Sequence, residues 1–180
     1  MEERTGEAFA FDERITVVGG KLQPGEAAPD FLLEYLDLIE MTIQPARLAN
    51  STGMVRLLNI VNALERPVCH RVTRHWEDLS AGLPAGVCLY TVSMDPPLAQ
   101  AHWQAAEGIM HQLLSAHRSE QFGRDYGVLL KEWRLLQRAV LVIDRNDHIV
   151  YAEYIADQMA EPDYAAAIEA ARQRSRMYGA

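Results

Sequence analysis

Apolar and polar positions recur along the chain with periods that assign most of its elements. Phe9 to Phe11 and Ile15 to Val18 predict two short strands around Asp12-Glu13, a hairpin. Gly19-Gly20 and Pro24-Gly25 punctuate the next stretch of chain. Phe31 to Glu34 and Met41 to Ile43 fit further short strands. The run from Val55 through Val61 is apolar enough for a strand buried on both faces. After Pro67, residues Val68, Val72, Trp76 and Leu79 fall at four- and three-residue spacing, one face of a helix. Proline suits the first helical position, because its missing N–H has no partner inside the helix there. Gly82 to Gly86 break the helix, and Val87 to Val92 form the next strand. Pro96-Pro97 interrupt, and Leu98 to Glu107 read as a helix ended by Gly108. Ala139 to Ile143 and Ile149 to Tyr154 flank Asn146-Asp147 as a strand–turn–strand unit. Pro162 opens a last helix, rich in alanine, from Asp163 to Arg176.

Strands that alternate with helices and finish in a hairpin and a helix predict an α/β sandwich. Its central sheet is mixed, with helices on both faces. A length of 180 residues suits one domain over 1–180, and 49% apolar residues exclude a disordered chain. Lys plus Arg is 17 against 25 Asp plus Glu, a net charge of −8, which argues against nucleic acid as a partner. The start, Met1 to Glu7, is acidic and lacks the apolar core of a secretory signal. Apolar runs such as Ala139 to Ile143 fall far short of a membrane span, so no membrane partner is expected. A cytoplasmic chain is the expectation, and reducing conditions there disfavour a structural disulfide.

The two cysteines, Cys69 and Cys88, read differently. With Pro67 as the first helical residue, Cys69 lies in the first turn. Unpaired backbone N–H groups and the positive end of the helix dipole favour a thiolate there. Arg66, Arg71 and Arg74 add positive charge nearby in sequence, and Glu65 opposes it. Such a thiol attacks a peroxide or a disulfide; the competing reading is a buried cysteine that only packs. Cys88 sits in a strand between Val87 and Leu89, where apolar burial raises a thiol pKa and leaves it inert.

Further motifs carry little chemistry. His70 and His75 lie about 140° apart around a helix, a poor pair of metal ligands, and no His-Glu-x-x-His run occurs. Gly-rich phosphate loops and a Gly-x-Ser-x-Gly elbow are also missing from the sequence. No metal or cofactor is implied. Trp76, Trp103 and Trp133 read as core or subunit contacts, and the arginines from Arg124 to Arg138 as a solvated face.

Over nearly its whole length the chain resembles the thiol peroxidases, a branch of the peroxiredoxins on the thioredoxin fold. The resemblance runs through Pro24-Gly25-Glu26-Ala27-Ala28-Pro29-Asp30-Phe31, Leu58-Asn59-Ile60-Val61 and Pro67-Val68-Cys69 with Thr73-Arg74. It continues in Ser93-Met94-Asp95-Pro96-Pro97-Leu98-Ala99-Gln100, Ala105-Ala106-Glu107-Gly108-Ile109 and Glu161-Pro162-Asp163-Tyr164. It implies a three-layer sandwich with an N-terminal β-hairpin and a homodimer. It also implies a peroxidatic Cys69, assisted by Arg138, that reduces hydrogen peroxide or an alkyl hydroperoxide.

Two departures stand out. The family motif Pro-x-x-x-Thr/Ser-x-x-Cys places Asn62 where its proline belongs and Arg66 where its hydroxyl residue belongs, so both become pocket candidates. Gln104 occupies the place of the usual resolving cysteine. The resemblance then implies a one-cysteine cycle closed by an external thiol, from a thioredoxin-like protein or a small molecule. The alternative is an impaired, peroxiredoxin-like redox sensor or binding protein.

Overall fold

The computed structural model describes residues 1–177. Its centre is a mixed sheet of seven strands. In spatial order these are β11 (Ile149–Tyr154), β10 (Ala139–Ile143), β5 (Val55–Ile60), β6 (Val87–Ser93), β7 (Gln112–Ser115), β3 (Leu33–Asp37) and β4 (Thr42–Ala46). Strands β5, β6 and β7 are parallel, and the outer pairings are antiparallel. A second, four-stranded sheet joins β1 (Glu3–Ala10), β2 (Glu13–Val18), β8 (Leu129–Leu130) and β9 (Leu135–Leu136). The helices are α1 (Pro67–Ser80), α2 (Pro97–Glu107), α3 (Gln121–Asp125) and α4 (Tyr164–Arg176).

The period of two along β5 divides the core. Val55 and Leu57, with Leu89, Val140 and Val142, pack on Val68, Val72 and Trp76 of α1 and on Ala167, Ile168 and Ala171 of α4. Leu58 and Ile60 face the other way, with Leu141 and Ile143, toward Phe31, Phe122 of α3 and Tyr126. The apolar run expected to be buried on both faces is therefore buried on both faces. Arg56 sits inside it, fully buried, and donates to the Met54 and Asp144 carbonyls and the Asp147 carboxylate.

Several boundaries differ from the sequence reading. The first strand begins at Glu3, not Phe9, because tertiary contacts draw a polar stretch into the sheet. Arg4 in that stretch is buried and donates to the Gly19 carbonyl and, at 2.9 Å, to the Gly127 carbonyl. At both glycines φ is positive, and an added Cβ would lie 2.1 Å from a backbone oxygen, so only glycine permits this close approach. Strands β3 and β4 start later than read, at Leu33 and Thr42. Pro97, not Leu98, is the first residue of α2. Pro162 does not open the last helix: Asp163 is the N-cap, its Oδ1 accepting from Ala166 N at 3.0 Å.

The fold braces the segment that leads from β5 into α1. Val61 N donates to Val92 O at 3.0 Å, and Leu64 N to Asp95 Oδ2 at 3.0 Å. Ser93 Oγ donates to the same Asp95 oxygen at 2.7 Å, and Gln100 Nε2 reaches Ser93 Oγ at 3.0 Å and Leu114 O at 2.9 Å. The stretch from Ser93 to Gln100 is thus a clamp across the carboxyl ends of β6 and β7.

Candidate active site

Cys69 is the third residue of α1, as its place after Pro67 predicts. It is 1% exposed and packs with Val61, Leu64, Trp103, Ile109 and Leu113. Its Sγ donates to Asn62 Oδ1 at 3.8 Å. Asn62 is itself fully buried. Its Nδ2 donates to Leu136 O at 2.6 Å and to Gln158 Oε1 at 3.0 Å. Both amide protons are used, so the carbonyl oxygen is the atom left for the sulfur.

Arg138, the residue before β10, is 1% exposed and interacts electrostatically with Cys69. Burial pushes its pKa down, and the nearby Cys69, Tyr164 and Glu161 oppose that shift. Its Nη1 donates to the Gln158 carbonyl at 3.3 Å and to the Ala160 carbonyl. Its Nε and Nη2 have no hydrogen-bond partner among the described residues. A buried cation with two uncommitted guanidinium nitrogens is equipped to hold an oxygen that gains charge.

The arginines next to Cys69 in sequence turn elsewhere. Arg71 faces Glu161 at 4.0 Å, and Arg74 pairs with Glu107 at 2.7 Å. Arg66 caps α1 through its backbone, while its guanidinium lies 4.5 Å above the Trp133 ring, a cation–π contact. Trp133 is half-buried there and donates to Glu13 at 2.9 Å. Gln104 binds the His111 carbonyl at 3.0 Å, joining α2 to the start of β7.

Cys88 lies at the far end of the sheet. Strand register pairs it with Arg56, whereas Ile60, which leads toward Cys69, pairs with Val92. Four strand residues separate those levels, about 13 Å, and Cys69 lies beyond them. A disulfide needs Cα atoms within about 7 Å, so this fold cannot join the pair. Both thiols are free. Burial pushes the Cys88 thiol pKa up, as expected for an inert cysteine. Its surroundings are less apolar than Val87 and Leu89 suggest: it is half-buried near Tyr90, Ser51 and Arg56, and donates to Val55 O at 3.6 Å.

A buried polar relay lies under α1 between the two thiols. Asn59 Nδ2 meets Thr91 Oγ1 at 3.0 Å, and Thr91 Oγ1 meets His111 Nε2 at 2.8 Å. His111 Nδ1 meets Glu77 Oε2 at 2.5 Å. Burial pushes the His111 pKa down despite Glu77, and hydrogen bonds from His111 outweigh burial to lower that of Glu77. Neutral His111 thus donates from Nδ1 and accepts from Thr91.

The redoxin family profile matches residues 23–168. A thiol peroxidase of Streptococcus sanguinis is 43% identical over 159 residues, covering 88% of this chain and 94% of that one. The chain belongs to the redoxin family, in its thiol peroxidase branch. A Bacillus subtilis thiol peroxidase is 38% identical over 88% of this chain and 92% of its own length. Among solved structures, a peroxiredoxin-like protein from Aquifex aeolicus superposes with a TM-score of 0.83 at 26% identity, covering 96% of this chain and 99% of that one. The redoxin fold thus accounts for the mixed sheet and the strand-to-helix entrance that carries Cys69.

Gln158 escaped the sequence reading. It lies in Ala156-Asp157-Gln158-Met159, a segment with no motif, and meets Asn62 across 96 residues of chain. Only its burial, to 1% exposure, marks it.

Proposed function

We propose that this thiol-dependent peroxidase uses Cys69 as its peroxidatic thiol. The observation that carries the assignment is the buried Arg138, whose guanidinium keeps two nitrogens uncommitted and whose charge acts on the first-turn thiol of Cys69. The Cys69 thiolate attacks the terminal oxygen of hydrogen peroxide or an alkyl hydroperoxide. The S–O bond forms as the O–O bond breaks, the leaving oxygen takes a proton, and Cys69 becomes a sulfenic acid. Arg138 stabilises charge on the departing oxygen. Asn62 touches the sulfur directly, whereas Arg66 contributes its backbone as the N-cap of α1 and lays its guanidinium on Trp133.

The separation of Cys69 from Cys88 supports a one-cysteine cycle. An external thiol attacks the sulfenic sulfur and releases water, and a second thiol then frees Cys69 from the mixed disulfide. The reductant class is a thioredoxin-like protein or a low-molecular-weight thiol. Family membership supports a cytoplasmic location and a homodimer, and light scattering of the purified chain checks the dimer. Stoichiometric hydroperoxide followed by peptide mass spectrometry tests the assignment. Selective oxidation of Cys69 at micromolar peroxide is expected; an unmodified Cys69 refutes it.

A second reading, a slow redox sensor or binding protein, is favoured by one feature. The Asn62 carbonyl, a hydrogen-bond acceptor, faces the sulfur where a donor would serve a thiolate. Stopped-flow peroxide consumption separates the two: steady turnover with added thiol supports the enzyme, and a single slow oxidation without turnover supports the sensor.

A further inference from the structure

We infer that Gln158 is a positioning residue for Cys69: it fixes the Asn62 amide so that the carbonyl oxygen, and not the NH2 group, meets the sulfur. The purpose of this arrangement rests on the peroxidase reading, while its geometry stands independently. The Asn62 NH2 group faces two acceptors, Leu136 O at 2.6 Å and Gln158 Oε1 at 3.0 Å. A reversed Asn62 would set oxygen against oxygen at both contacts.

Gln158 is locked in turn. Its Nε2 donates to Ile155 O at 2.6 Å and to Ala156 O at 3.1 Å. Its Oε1 accepts from Asn62 Nδ2 and, at 3.0 Å, from Arg138 N. A reversed Gln158 would confront two N–H donors with a third. Each amide therefore dictates the orientation of the other, and the hydrogen-bond pattern alone assigns them.

The chemical effect comes from the atom presented. A thiol donates to the Asn62 carbonyl, whereas a thiolate loses that bond and faces an oxygen. A hydrogen bond made only by the neutral form favours that form. Arg138 acts in the opposite sense, and Gln158 also holds Arg138 through its backbone N–H and through its own carbonyl. The remaining charged and titratable groups around the sulfur lie farther out. Tyr164, Glu161 and Arg71 act on Arg138, and His70, paired with Glu107, stands against the Trp103 ring that borders Cys69. None of these outer groups hydrogen-bonds to Gln158 among the described residues, so replacing Gln158 leaves them in place.

The test measures iodoacetamide alkylation of Cys69 across pH in a Cys88→Ser background, with peroxide oxidation measured beside it. In Gln158→Leu the Asn62 NH2 group loses one of its two acceptors and Leu136 O alone holds it, so the orientation that opposes the thiolate is weakened. Alkylation near neutral pH should quicken by roughly two- to tenfold, the range of one net hydrogen bond, and the rate profile should move to lower pH. Gln158→Glu keeps an acceptor for both N–H groups and should alkylate no faster than the parent. In an Asn62→Leu background, Gln158→Leu should add no further change. An unchanged or slower rate in folded Gln158→Leu overturns the inference. So does a faster Gln158→Glu, which decides the matter if the leucine variant does not fold. An effect of Gln158→Leu that persists without Asn62 also overturns it. The expected alkylation pattern with no peroxide oxidation of Cys69 would remove the peroxidase reading and leave the positioning role standing.

Discussion

The two ends of the β5–β6 pair hold the same two residue types, a buried arginine and a cysteine, and put them to opposite uses. At the amino ends of these parallel strands, Arg56 is neutralised by Asp147 and Cys88 bonds a strand carbonyl. At the carboxyl ends, the Arg138 guanidinium hydrogen-bonds only to backbone carbonyls among the described residues, and Cys69 stands in the first turn of α1. Buried arginine is thus no sign of chemistry by itself. What differs is whether a carboxylate has consumed its charge and donors. The ends differ for a topological reason: chains leave parallel strands at their carboxyl ends through loops into helices, and helix N-termini collect there.

The strongest way to break this comparison is to exchange the thiols for hydroxyls. Cys69→Ser should lower peroxide consumption by about three orders of magnitude or more, because the nucleophile itself is removed. Cys88→Ser should leave it within about twofold. Equal losses in a coupled peroxidase assay would erase the distinction.

The arginines supply the next test. Arg138→Met should slow Cys69 oxidation by about a hundredfold, the usual effect of removing one donor aimed at developing charge. Asp147→Asn should act on stability instead. It leaves Arg56 buried without its carboxylate and should lower the unfolding free energy by about 1–3 kcal/mol in urea, with Cys69 oxidation unchanged. The lower figure allows for the partial exposure of Asp147.

Between the two ends, His111 sharpens the comparison through pH. Its folded pKa lies below the ordinary 6.5, so the unfolded chain takes up the proton first. Its contribution is complete above that value and declines as pH falls. The lowered pKa of Glu77 extends the same trend below 4.5. His111→Gln should flatten the fall of stability as pH drops below about 6.5, as read from urea midpoints. A slope identical to the parent would show that His111 does not titrate with folding.

The smallest effect expected is none. After oxidation without reductant, peptide mapping should find no Cys69–Cys88 disulfide within the folded chain. Such a bridge forming as fast as Cys69 oxidises would mean that β5 and β6 do not hold their register.

The long elements were legible because their hydrophobic periods are decisive. The run of β5, the 67–80 face carrying Val68, Val72 and Trp76, and the 139–154 hairpin each have one stable way to bury their apolar residues. Strands β7, β8 and β9 and helix α3 were not legible. They span two to five residues, too few for a period, and partners distant in sequence make them regular. At the proposed site, the first-turn placement of Cys69 was legible from Pro67. Arg138 was legible through family resemblance alone, since composition marked it as one of several arginines. Arg71 and Arg74 were plausible by proximity in sequence, but carboxylates outside the site hold them.

The sequence by itself determined the order of the long elements, the entry of α1 and the placement of the two cysteines, one in the first turn of a helix and one within a strand. Each rests on local pattern: a proline at a helix start, an alternating strand, a run of apolar residues. Only the tertiary structure decided which groups reach the sulfur. Asn62, the segment from Leu136 to Arg138 and Gln158 converge from three distant stretches of the chain, and the amides of Asn62 and Gln158 orient one another across 96 residues. Which atom of an amide faces a thiol depends on where every other donor and acceptor is already committed, a condition that exists only once the chain has closed around them.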